Sequence, residues 1–158
     1  MDTGTGDIRA VGFTSSDTED SPVLPELLSQ VPPEEQICTV TGTGVHDTRR
    51  YNTAILDRGA AAVIPIRKNG RRWKEDCPAA TARNEILRAT RHLRRAIWKR
   101  WAGYHVRSRI EAKMRGLKSF GEYIASRDRD RQTAEIHIRL ALMNRFNELG
   151  MAEIERMA

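Results

Sequence analysis

Residues 104–118 read YHVRSRIEAKMRGLK, and Tyr104, Arg107, Glu111 and Lys118 stand within it with two, three and six residues between them. At about 100° per residue, an α-helix would place these four side chains within an arc of roughly 60°. Val106, Ile110, Met114 and Leu117 would form an apolar stripe about a quarter turn away. Such a helix buries its apolar stripe and holds one carboxylate, one phenol and two fixed cations in an open groove. An acid among phosphate-binding groups suits a metal-dependent enzyme acting on nucleic acid. The plainer alternative is a solvated arginine-rich face in which Glu111 is an ion-pair partner.

The text around this stretch supplies SPVLPELL (21–28), HDTRRYNTAILDRGAAAVIPIRKN (46–69), ARNEILRA (82–89) and WAGYHVRSRIEAKM (101–114). Together these resemble the DDE transposases of bacterial insertion sequences, specifically the insertion-sequence "five" group, whose signature is Tyr, Arg, Glu and Lys at these intervals. The likeness runs from about Asp2 to Gly150. It implies an α/β fold: a ribonuclease-H-like mixed sheet flanked by helices, with a helix-rich C-terminal half. It further implies two divalent ions, Mg2+ or Mn2+, and DNA strand cleavage and transfer at transposon ends.

By the same resemblance Asp2 and Glu111 are catalytic metal ligands, while Tyr104, Arg107 and Lys118 hold phosphates. The family's second catalytic Asp falls on Thr43. A neutral hydroxyl does not replace an anionic metal ligand, so this copy is expected to be inactive. Asp47, four residues later, reads as a helix cap rather than a substitute ligand. Only Met1 precedes Asp2, where the family has a central strand. The chain is therefore expected to be an N-terminally truncated catalytic domain over residues 1–150, with a basic loop inserted at 67–80 and a tail at 151–158. A sheet lacking its central strand exposes unpaired edges. The implied partner is DNA, both transposon ends and target. A homodimer is compatible with the text, and the expected location is cytoplasmic, at the bacterial nucleoid. The competing class is a non-catalytic basic module that binds DNA or another protein.

Composition bounds these readings. The 158 residues suffice for one domain with a real core, and no apolar run approaches the length of a membrane span. Cys38 and Cys77 lack CxxC partners and the four histidines are scattered, which argues against a zinc site and for two buried or half-buried free thiols. Residues 1–48 carry one base against nine acids, a net of −8, and residues 49–158 carry 26 bases against 12 acids, a net of +14. The later part therefore suits a polyanion.

Local patterns predict a strand over Ile8–Thr14 and a polar loop over Thr14–Asp20. A helix follows, capped by Asp20 or Ser21, with Pro22 early, apolar residues Val23 to Val31 inward and Pro32-Pro33 as its stop. Buried strands are expected over Ile37–Thr41 and Ala60–Ile66, and a helix over Thr48–Arg58 with Gly59 as its left-handed stop. Arg67–Lys74 reads as a basic loop with an Asn-Gly turn, in which Trp73 packs beneath the loop rather than on a base. One helix is expected from Thr81 to Trp101, with Ile86, Thr90, Leu93, Ile97 and Trp101 inward, broken by Gly103. The last helix, Gln132–Leu149, turns Ile136, Leu140, Met143 and Phe146 inward and stops at Gly150.

Overall fold

The computed structural model describes residues 1–13, 23–121 and 123–150. The chain is mixed α/β and helix-rich, and it divides into two compact units: Met1–Phe13 with Ser108–Ala158, and Thr14–Arg107. The polar loop 14–20, the caps at Asp20 or Ser21, Pro22 and the tail 151–158 lie outside the described residues.

In the Thr14–Arg107 unit, helix α1 (Leu24–Ser29) carries a proline in its first turn, where the missing N–H goes unused. Strand β1 (Thr39–Thr41), helix α2 (Arg49–Asp57) and strand β2 (Ala61–Val63) form a parallel pair with a helical crossover. Thr39 pairs with Ala61, Val40 with Ala62 and Thr41 with Val63. Parallel strands need such a crossover, and α2 provides it. The core is Leu24, Tyr51, Ile55, Ala60 and Ile64, with Leu28, Ile37, Val40, Ala54 and Ala62 packed against it.

Both strands are shorter than their apolar runs. Ile64, Pro65 and Ile66 are buried but lie outside the ladder, and Pro65 has no N–H to offer it. Cys38 is exposed, against expectation, because it precedes β1 at the rim of a two-stranded sheet; Cys77 is half-buried, and both thiols are free. Thr48, not Asp47, caps α2: its Oγ1 accepts from the Tyr51 N–H at 3.3 Å. Gly59 ends that helix at φ +69°, as its sequence position predicts.

The single helix expected over Thr81–Trp101 is two. Helix α3 (Pro78–Leu93) begins earlier, on Pro78, and helix α4 (Arg95–Trp101) restarts after Arg94. Arg94 adopts φ 63° and ψ 151°, a region residues with a Cβ rarely enter, so the helical hydrogen-bond series stops there. The buried face also differs in phase: Ala79, Ala80, Arg83, Asn84 and Leu87 on α3 and Trp98 on α4 are buried, while Ile97 and Trp101 are exposed. Gly103, at φ +68°, separates α4 from a 3-10 helix over Tyr104–Arg107.

In the other unit, helix α5 (Ser108–Ser119) packs on helix α6 (Arg129–Leu149), with Gly116 facing Met143. Asp128 caps α6, accepting from the Arg131 N–H at 3.1 Å. Leu140 and Met143 are buried as expected; Phe146 is not, being 59% exposed and stacked at 6.3 Å on Phe120. The strand expected from Ile8 is not formed over residues 8–13. Asn144 takes the place of a strand partner, its Oδ1 accepting from the Ile8 N–H at 2.9 Å and its Nδ2 donating to the Ile8 carbonyl at 3.0 Å. Asn147 donates to the Gly6 carbonyl, and Phe13 packs on His137 with ring centroids 5.5 Å apart, so residues 6–13 run antiparallel along α6.

Candidate functional site

Thr43 lies just beyond β1, where the second acid is expected. Its N–H donates to Nδ1 of His46 at 3.2 Å, and its hydroxyl lies 3.0 Å from the same nitrogen. Because a backbone N–H can only donate, Nδ1 is the acceptor of that bond. Arg67 donates to the carbonyls of Gly44 at 3.0 Å and Val45 at 2.7 Å. The turn is thus closed by its own side chains and braced by a cation.

Asp47 occupies a different role from the cap its spacing suggests. Its carboxylate is buried and paired in a fork with Arg83, Nε to Oδ1 at 3.0 Å and Nη2 to Oδ2 at 2.7 Å. The third guanidinium nitrogen, Nη1, donates to the Arg71 carbonyl at 2.6 Å, and the guanidinium carbon sits 4.5 Å from the Trp73 ring centroid. Arg49 lies 5.5 Å from the same ring. Asn84 accepts from the Trp73 N–H at 2.9 Å and donates to its carbonyl at 2.8 Å. Trp73 is therefore a packed aromatic beneath the basic loop, as expected. The ARNE text of α3 is the clamp that holds residues 71–75 to the HDTRR text. Gly70 closes the loop's turn, its N–H donating to the Arg67 carbonyl at 2.8 Å; a Cβ there would lie 2.4 Å from Ile66.

Arg83 and Asn84 escape periodicity arguments, which assign polar residues to solvent. Their signal was positional: Ala80, Arg83, Asn84 and Leu87 share the spacing of one buried helix face. The neighbouring acids respond to these cations. Hydrogen bonds from Arg72 and then Asn84 hold Glu75 below its ordinary value, and a hydrogen bond from Arg49 does the same for Asp76.

The quartet expected on one helix is divided. Tyr104 and Arg107 belong to the 3-10 helix, and Glu111 and Lys118 to α5, with the boundary between the two units falling after Arg107. After Gly103 the chain resumes as a 3-10 turn, the Val106 N–H bonding back to the Gly103 carbonyl at 3.2 Å, and it becomes α-helical only from Ser108. Within each element the pairing survives. Residues three apart on a 3-10 helix eclipse, and residues seven apart on an α-helix differ by about 20°. Tyr104 is half-buried, with the Lys99 ammonium 4.8 Å from its ring centroid. Glu111 lies in the first turn of α5 and Lys118 in the last, each at the helix end whose dipole suits its charge. Of the apolar stripe, Val106, Ile110 and Leu117 are half-buried and Met114 is 48% exposed.

Asp2 sits in a tight N-terminal turn. Its Oδ1 accepts from the Gly4 N–H at 2.7 Å, its N–H donates to the Asp7 carbonyl at 2.8 Å, and its carbonyl accepts from Gly6 at 3.1 Å. Arg109 donates to the adjacent Thr3 carbonyl, and Lys113 pairs with Asn147 beside Gly6. Hydrogen bonds from Asn147 and then Thr5 hold Asp7 below its ordinary value. Arg109 and Lys113 thus mark the face of α5 that meets this turn. Glu111, two residues from each, lies about 200° around the helix, on the far side.

A family model described as a transposase DDE domain matches residues 1–145. The chain belongs to the DDE transposase family. No solved structure matches it. DDE transposases use divalent metals. Asp2 accepts within its own turn, Glu111 lies on the side of α5 away from Arg109 and Lys113, and Thr43 offers a neutral oxygen 3.0 Å from His46 Nδ1. Among the described residues no three of His, Cys, Asp and Glu gather closely enough to hold a metal ion. Among the same residues no helix is long and apolar enough to cross a membrane.

Proposed function

We propose that this chain is a DNA-binding DDE domain of the insertion-sequence "five" type, descended from enzymes that cut and join transposon ends, in which strand cleavage has been lost. The carrying observation is Thr43, a hydroxyl bonded to its own turn at the position of an anionic ligand. The parallel β1–α2–β2 unit is consistent with a reduced ribonuclease-H-like sheet. DNA binding rests on the +14 charge of residues 49–158 and on Tyr104, Arg107 and Lys118 as phosphate contacts. Intact relatives would hold two Mg2+ or Mn2+ ions on three carboxylates; Asp2 and Glu111 are the two that this text retains. A homodimer on DNA fits the same reading.

The test is nicking of supercoiled plasmid carrying the element's ends, with Mg2+ or Mn2+. The expected result is DNA binding without nicking above the background of the Glu111→Gln variant. Metal-dependent nicking that disappears on Glu111→Gln overturns the loss of cleavage. Failure to bind any DNA overturns the assignment to DNA.

A further inference from the structure

We infer that the end of α4 is a binding site for single-stranded nucleic acid, with the Trp101 indole as a stacking platform for an unpaired base. It rests on the nucleic-acid reading above but not on any carboxylate. Residues 86–110 contain eight Lys and Arg residues and no Asp or Glu. The three tryptophans in the described chain have different fates. Trp98 is buried, Trp73 is packed against Arg83, and Trp101 is 74% exposed. Ile97, one turn earlier on the same side of α4, is also exposed, and so are Arg94 and Arg100 beside them.

An indole projecting from a cationic surface gains little from a duplex. There the bases are stacked on one another and only phosphates and groove edges meet the protein. An unpaired strand offers both partners at once: phosphates for the arginines and a free π-face for the indole. Stacking of this kind tolerates any base, so the site is expected to prefer strandedness over sequence. The uninterrupted positive charge also disfavours a second copy of the same surface as the occupant, because like charges would face one another.

The experiment measures binding of the full chain to three fluorescent oligonucleotides of equal length: oligo(dT), an abasic strand with the same phosphates, and a duplex. The Trp101→Ala and Trp101→Phe variants are measured alongside. The expected result is about tenfold or greater loss of oligo(dT) affinity for Trp101→Ala, near-parental affinity for Trp101→Phe, and duplex and abasic affinities unchanged within about twofold. An oligo(U) arm separates DNA from RNA as the source of the unpaired base, and either supports the site. Equal losses on duplex and single strand, or no loss on either, overturn it while leaving DNA binding intact. Absence of binding to all four probes overturns both this site and the broader reading.

Discussion

The Asp47 carboxylate and the Arg83 guanidinium are both buried, and each has its charge answered by the other through two parallel hydrogen bonds. Such a fork offsets the loss of hydration only while both partners are present. Removing one leaves a buried charge unanswered, which typically costs about 3–5 kcal/mol. Arg83→Met and Asp47→Asn are each expected to lower unfolding free energy by about that amount in urea titrations, and Arg83→Met also to free residues 71–75. The double replacement Asp47→Leu/Arg83→Met is expected to recover much of the loss, because no charge remains buried. Single variants within about 1 kcal/mol of the parent would show that the pair is not structural. The same pair explains why Asp47 was misread from its position. A Thr48-Arg49 run after an acid looks like a helix start, and the cap lies one residue later. Arg83, 36 residues away, decides the role of Asp47, and no local pattern carries that pairing.

Among the elements, α6 shows how one helix gathers distant backbone. Glu135 accepts from the N–H groups of Ala125 and Ser126 at 3.1 and 3.2 Å, and Arg139 donates to the carbonyls of Gly121 and Tyr123. The Ala125 N–H is the largest influence holding Glu135 below its ordinary value, with the Ser126 N–H and Arg139 acting in the same direction. A carboxylate lowered in the folded state stabilises it above the unfolded value, about 4.3 for Glu, and loses that contribution as pH falls through the lower folded value. Amide exchange at Ala125 and Ser126 is therefore expected to be slow at neutral pH and to gain an opening component as pH falls below about 4.3. Glu135→Gln should remove that pH dependence and speed exchange at pH 7. A pH-independent profile in the parent would exclude Glu135 as the latch. Helix stops at Gly59, Gly103 and Gly150 were legible because positive φ selects glycine. The break at Arg94 was not, since it uses the same conformational exception without the residue that marks it. Nor was the fate of Ile8–Phe13, an alternating run whose backbone is claimed by the Asn144 amide, 136 residues later for Ile8.

At the scale of the molecule, the positive charge is concentrated: residues 49–107 carry 16 bases against 4 acids, a net of +12, and residues 108–158 carry 10 against 8, a net of +2. Residues 49–158 carry a net of +14, and the stretch 86–110 holds eight of those bases without an acid. Family membership was legible in the run of text from SPVLPELL to WAGYHVRSRIEAKM, whereas the placement of Tyr104, Arg107, Glu111 and Lys118 was not, because the 3-10 helix gives way to α5 at Ser108, between the second and the third of them. Association with phosphate, as proposed above, releases counterions and so declines with salt. If Arg88, Arg91, Arg94, Arg95, Lys99 and Arg100 each neutralise one phosphate, log K against log salt should fall with a slope of roughly −4 to −5. Replacing Arg94 and Arg100 with Gln should make the slope shallower by about 1.5 and weaken binding to all sequences alike. Anisotropy titrations between about 50 and 300 mM salt measure both quantities. A slope unchanged by the double substitution would move the phosphate contacts off α4. The Lys118 end of α5 and Arg107 of the 3-10 helix would then be the surfaces to test.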